Sequence, residues 1–155
     1  MERYGESTMI KTFRGLVADG VQDTIVLHTN DGSMGYRVVK FQLMPPLMGT
    51  QNNESTVKIY KVAQTTIDSN IDFSDNTLLA AAYIENESHG NYNGIALSVI
   101  FDQEIFNQDI YITHDDVKGD ARSCNYYLEL EQVKLDLNEN TVATLKNIKN
   151  EANIL

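Results

Sequence analysis

The stretch GVQDTIVLHTNDGSMGYRVVKFQLM, residues 20–44, decides the fold. Two apolar, β-branched runs flank a turn at Asn30, Asp31 and Gly32, which is the strongest hairpin signal in the chain. Gly32 can supply the positive φ that such a turn needs. The first run is apolar on both sides of the pleat at residues 25–27, so we expect it to lie deep in a sheet. We predict a β-hairpin here.

The second run alternates as a strand with one buried face does. Its core face should carry Val39, Phe41 and Leu43. Its other face should carry Lys40 and Gln42, exposed to solvent or to a partner.

Short strands separated by turn signals fill most of the remaining chain. We predict strands at residues 8–18, 57–59, 78–84, 95–101, 109–113 and 125–137, with a polar loop at 49–55 and the run at 95–101 buried. The run at 78–84 is short enough to be a helical turn instead. About eight strands without a βα rhythm indicate an all-β protein. We predict a single β-sandwich of the jelly-roll type over residues 1–137.

The last predicted strand changes phase. Tyr126, Leu128 and Leu130 share one parity, whereas Val133, Leu135 and Leu137 share the other. One extra residue would bring both sets to the same face, so we predict a β-bulge near residues 131–132.

A C-terminal helical arm is predicted over residues 138–155, with Asn138 or Asn140 as its N-cap. Its apolar residues at helical spacing are Val142, Leu145, Ile148 and Ala152. A sandwich completes its core with strands, so we expect the stripe of Val142, Leu145 and Ile148 to bind a neighbouring subunit. The alternative is that the helix folds back on its own domain.

Composition restricts the possible partners. The chain has 155 residues, enough for one domain, and a net charge of -10. That charge disfavours direct binding to nucleic acid or to an anionic membrane. The N-terminus lacks the pattern of a signal peptide, and the longest apolar run, at 78–84, is too short to span a bilayer. We expect a soluble protein made in the cytoplasm.

No pattern in the sequence predicts a metal, a cofactor or catalysis. The histidines His28, His89 and His114 are dispersed, which argues against a transition-metal site. We expect His28 on a sheet face and the other two in loops. The single Cys124 has no base beside it in the sequence and is interpreted as a structural thiol.

Acidic residues leave two alternatives open. Two loops could hold calcium. One carries Asp68, Asp72 and Asp75, and the other carries Asp115, Asp116 and Asp120. Solvated carboxylates are the commoner explanation for such residues. Glu129 and Glu131 lie two residues apart on a strand, where acid-base chemistry on a sugar is conceivable and a wet sheet face is more usual. Tyr92, in the loop at 88–94, could stack on a sugar or a partner.

Four stretches resemble a group of virion structural proteins from tailed bacteriophages of marine bacteria, including cyanophages. They are TIVLHTNDGSMGYRVVKFQLMP (24–45), IDFSDNTLLAAAYIEN (71–86), IFDQEIFNQDIYITH (100–114) and NYYLELEQVKLDLNENTVATLKNIKN (125–150). The resemblance implies a capsid-associated or otherwise particle-bound β-sandwich and carries no enzymatic residues.

We therefore expect a virion structural protein, a capsid decoration or cement protein that contacts other virion proteins and its own copies. The expected contact residues are Tyr92, Val142, Leu145 and Ile148. The alternative is a carbohydrate-binding or receptor-binding module of a fibre or tail, which the absence of Trp disfavours. An enzyme ranks last.

Overall fold

The structure, a computed structural model, describes residues 9–48, 52–86 and 94–154. Over these residues the chain forms eight β-strands and then one α-helix. The strands are β1 (Ile10–Val17), β2 (Gln22–Ile25), β3 (Met34–Met44), β4 (Asn53–Tyr60), β5 (Leu78–Asn86), β6 (Ile95–Ile100), β7 (Ile110–Asp116) and β8 (Cys124–Lys134), and the helix is α1 (Leu137–Ile154). The predicted all-β class with a C-terminal helix is confirmed.

The strands form two antiparallel sheets. The small sheet has the order β1-β8-β3, and the large sheet has the order β2-β7-β4-β5-β6. The chain crosses from one sheet to the other after β1, β2, β3 and β7. The result is a sandwich-like pair of sheets.

The core lies between the two sheets. Phe41, Leu128 and Leu130 face it from the small sheet, and Ile110 and Ile112 face it from the large one. Ile110 and Ile112 thus share the inner face of β7, in the strand predicted at residues 109–113.

The predicted hairpin at residues 20–44 is wrong in its pairing. Strand β2 pairs with β7 and strand β3 pairs with β8, so the turn connects the two sheets. Gly32 does have a positive φ, +65°. Val26 is exposed because β2 ends at Ile25 and lies at the edge of its sheet. A turn signal specifies a chain reversal but does not specify which strand becomes the partner.

Strand β3 confirms the predicted core position of Phe41 but not that of Val39. The register against β8 shifts between Val38 and Lys40, so Val38 is buried and Val39 is only half-buried. This irregularity is a β-bulge, which moves the following residues to the opposite parity. Beyond it, Lys40 and Gln42 are exposed as predicted.

The bulge predicted near residues 131–132 is wrong. Strand β8 keeps its register through this region, from Leu130 opposite Val38 to Lys134 opposite Met34. The change of phase arises because the strand ends and Leu135 is buried just beyond it.

Two further expectations are corrected. The run at 95–101 forms β6, but its side chains are mostly exposed because β6 is an edge strand. The predicted polar loop at 49–55 is partly strand, since β4 begins at Asn53, which is buried. The run at 78–84 is a strand, part of β5.

An irregular segment, residues 61–77, is anchored on the outer face of the large sheet. The buried Lys58 Nζ lies 3.1 Å from Asp68 Oδ1 and donates to the Asn70 carbonyl. Ion pairing with Asp68 compensates for burial of the Lys58 ammonium group. Phe73 meets Phe101 edge-to-face.

Candidate interaction surfaces

Helix α1 begins at a capping box. The Glu139 amide donates to Asp136 Oδ1 at 2.8 Å, and the Asp136 amide donates to Glu139 Oε1 at 3.4 Å. The bond from the Glu139 amide is the main cause that lowers the pKa of Asp136. The N-cap is therefore Asp136, and the prediction of Asn138 or Asn140 is wrong because the helix starts earlier.

A polar network joins α1 to the body of the protein. The amide nitrogen of the buried Asn107 donates to the Gly32 carbonyl at 3.2 Å, to Asn140 Oδ1 at 3.3 Å and to Thr144 Oγ1 at 2.9 Å. Asn140 in turn donates to the Asp31 carbonyl. The helix thus contacts the turn before β3 through a polar face.

The apolar stripe of α1 stays exposed although the helix is docked. Val142, Leu145 and Ile148 are 54%, 58% and 55% exposed. An amphipathic helix ordinarily buries its apolar stripe against the core. Here the helix contacts its own domain and still leaves the stripe uncovered in the described part of the chain.

An apolar groove of about 850 Å³ opens between the two sheets at the end opposite α1. Phe41, Leu43 and Tyr126 line it from the small sheet, and Ala82 and Ala96 line it from the large sheet. Ala82 and Ala96 have small side chains, so open space remains between them and the larger side chains of the small sheet. The remaining lining residues are Arg14, Gly15, Leu16, Gln42, Met44, Ile84, Leu97, Ser98, Asn125 and Tyr127.

Strands β3 and β6 flank this groove, and each is the edge strand of its sheet. The Ser98 hydroxyl on β6 donates to the Phe41 carbonyl on β3 at 2.8 Å. Farther along β3, toward α1, Tyr36 and Phe106 exchange backbone hydrogen bonds. Among the described residues, these are the contacts of the β3 backbone groups that point away from β8.

His28 is exposed just after β2 and binds Asp109. Its Nδ1 lies 2.7 Å from Asp109 Oδ1, which also accepts the amides of Leu27 and His28. Burial alone would raise the pKa of Asp109, but the hydrogen bonds from His28 and Leu27 outweigh it and lower the pKa. This contact fixes the chain after β2.

The prediction that His114 lies in a loop is wrong, because His114 is a fully buried residue of β7. Its Nδ1 is 3.0 Å from the Val17 carbonyl. Cys124 is buried as well, and burial raises the pKa of its thiol to about 12. A thiol with such a pKa is a poor nucleophile at neutral pH.

Acidic residues in both candidate calcium loops bind groups of the protein itself. Asp72 accepts the Ser74 amide and hydroxyl, and Asp75 accepts those of Thr77. Asp116 accepts the amides of Lys118 and Arg122. Such bonds are typical of turns. Within residues 9–48, 52–86 and 94–154, no three or more His, Cys, Asp or Glu side chains group in a way that could hold a metal ion.

Glu129 and Glu131 point away from the core and face cations on β3. Glu131 accepts two bonds from Arg37, at 2.9 and 2.6 Å, and Glu129 lies 4.0 Å from Lys40. They form the outer face of the small sheet. This arrangement is that of cross-strand ion pairs.

The sequence did not point to Asn107 or to the groove. Neither a single Asn nor an Ala-rich strand identifies a site alone, although the run Ala80-Ala81-Ala82 signals small side chains in the large sheet. Tyr92 and His89 lie outside the described residues. No helix in the described part of the chain is long and apolar enough to cross a membrane.

Comparison with known proteins adds no relative. No protein-family model matches the sequence, and no curated protein is significantly similar to it.

Proposed function

We propose that this chain is a structural protein of a tailed-bacteriophage particle, which decorates or cements the capsid surface by protein-protein contacts. The observation that carries the proposal is the outward-facing stripe of α1, formed by Val142, Leu145 and Ile148. A helix held by its polar face and presenting its apolar face is suited to binding another protein.

The stripe provides a modest but useful binding energy. Covering three half-exposed aliphatic side chains contributes about 3 kcal/mol, at roughly 1 kcal/mol each. One such contact is weak alone. On a particle, where many copies bind side by side, weak contacts add up through effective concentration.

The strand order supports the finer proposal of a jelly roll. In that fold the first strand pairs with the eighth, the second with the seventh, the third with the sixth and the fourth with the fifth. Strands β1 and β8, β2 and β7, and β4 and β5 pair in this way. Strand β6 instead pairs with β5 and meets β3 through Ser98. Capsid proteins and lectins are among the proteins that use this fold.

Charge supports a position away from packaged DNA. The net charge of -10 repels phosphate, whereas α1 is neutral, since Glu139 and Glu151 balance Lys146 and Lys149. The helix is thus a part of the protein that another acidic protein can approach with little repulsion. We place α1 at the contact with neighbouring virion proteins.

The test compares two single substitutions at neighbouring helix positions. Leu145→Gln removes the centre of the stripe, and Lys146→Gln is the matched control, because both side chains are exposed. We expect Leu145→Gln to reduce binding of the purified protein to particles that lack it by about fivefold, which corresponds to the contribution of about 1 kcal/mol from one side chain. Lys146→Gln should change binding by less than twofold.

Electron microscopy of particles with and without the protein gives the location. Added density on the capsid surface is the expected result. Binding that is equal for both variants, or particles that show no added density, would contradict the proposal.

A further inference from the structure

We propose that the groove between β3 and β6 binds an extended segment of a second protein, which adds to the free edge of β3 as a short strand. The segment is uncharged or acidic, with apolar side chains at alternate positions. This inference goes beyond the proposed function and does not depend on the virion assignment.

Part of the β3 backbone is free to form hydrogen bonds at the groove. The Phe41 carbonyl accepts the Ser98 hydroxyl, so it points away from β8. In an antiparallel strand, the amide and carbonyl of one residue point to the same side, and residues two apart share that side. Leu43 therefore also turns its backbone groups toward the groove. No backbone partner meets them there among the described residues.

Exposed apolar side chains form the rim of the groove. Leu16, Met44 and Leu97 line it and are each more than half exposed, and Tyr127 is also exposed. Clustered apolar side chains on a protein surface mark interaction sites. An alternating segment places one set of its side chains into such a groove while its backbone pairs with the edge strand.

The lining of the groove carries no acidic side chain. None of the 15 residues that line the groove is Asp or Glu, and Arg14 is the charged one. The whole chain carries 22 acidic residues, so this acid-free lining departs from the overall composition of the protein. A second copy of this chain would bring its own charge of -10, which makes a different, less acidic partner the better fit.

The size of the free edge limits the segment. From Phe41 to Met44 the edge spans four residues, at roughly 3.3 Å per residue, and Leu43 is the residue there that offers a free amide and carbonyl among the described residues. An acyl chain would fill the apolar space but leave the backbone groups of Leu43 unpaired. The choice between a peptide and a lipid therefore depends on whether backbone hydrogen bonds contribute to binding.

The experiment uses the full-length protein and nuclear magnetic resonance of its backbone amides. The probes are blocked pentapeptides that alternate threonine with valine, leucine or phenylalanine, each paired with a copy N-methylated on its central amide. Dodecanoate is the lipid probe. We expect at least one peptide to shift the Leu43 and Ala96 resonances and to bind at least tenfold more tightly than its N-methylated copy.

Two variants test the location. Ala96→Trp fills the groove and should weaken peptide binding at least tenfold, whereas Ala63→Trp, in an exposed loop elsewhere, should change it by less than twofold. Leu97→Gln at the rim is the second groove variant in case Ala96→Trp does not fold, and it should weaken binding severalfold.

Several outcomes would overturn the proposal. These are no shift with any peptide, equal affinity for the N-methylated copy, or shifts with dodecanoate alone. Shifts of the same resonances that depend on protein concentration without any probe would assign the groove to a second copy and would equally overturn it.

Discussion

Phe41 connects the core to the groove. Its side chain is 2% exposed and packs in the core cluster, and its carbonyl accepts the Ser98 hydroxyl from the other sheet. One residue thus contributes apolar burial within its own sheet and a polar contact between the sheets. Its neighbour Gln42 is exposed and has neither role.

Replacing Phe41 with Ala should therefore cost about 3 to 5 kcal/mol in the free energy of unfolding, because the substitution leaves a cavity in the core. Gln42→Ala is the matched control and should stay within about 0.5 kcal/mol of the wild type. Urea denaturation followed by circular dichroism measures both. Equal stability of the two variants would show that the buried face of β3 is wrongly assigned.

The alternation of apolar and polar residues correctly predicted that Phe41 is buried in the core. It wrongly predicted the same for Val39, two residues earlier. Two adjacent valines, Val38 and Val39, suit either face, so only the pairing with β8 decides which is buried. A β-bulge depends on the partner strand, and one sequence read alone does not contain that information.

At the scale of elements, α1 is held by side-chain amides more than by apolar packing. Asn107 is the centre of that contact, and five of the eighteen residues of α1 are Asn, a poor helix former. Such a helix is marginal when free in water. Its order depends on docking against the turn at Asp31 and Gly32.

Asn107→Asp should release α1. The substitution removes both donors and sets a carboxylate against the carbonyl oxygens of Gly32 and Asn140, which costs about 1 to 3 kcal/mol. We expect the helical circular dichroism signal to fall while the β-sheet signal remains.

Asn138→Asp, exposed in the first turn, is the control and should keep the helix, since negative charge is favourable there. A helical signal unchanged in Asn107→Asp would show that other contacts hold α1.

The sequence predicted most elements but not their neighbours. Strand runs and the C-terminal helix follow from local patterns, as the runs at 78–84 and 109–113 show. The pairing of β2 with β7 joins segments about 90 residues apart and depends on how the whole chain folds. The groove was missed for the same reason, because it exists only once β3 and β6 meet.

At the scale of the whole molecule, two surfaces stand apart from a strongly acidic body. The stripe of α1 and the groove lie at opposite ends of the small sheet, and neither carries excess negative charge. Two copies that each carry a net charge of -10 repel one another, and this repulsion depends on the ionic strength.

We predict that copies of the chain associate through α1 and that this association strengthens with salt. Raising the ionic strength from about 0.01 M to about 0.1 M shortens the screening length from about 30 Å to about 10 Å, which reduces repulsion between bodies that each carry a charge of -10. Contact between the Val142, Leu145 and Ile148 side chains is apolar and is not weakened by this change. We expect the association constant, measured by sedimentation equilibrium, to rise at least about fivefold. Leu145→Gln should lower association at both ionic strengths, and association that weakens with salt would instead mean that opposite charges drive the contact.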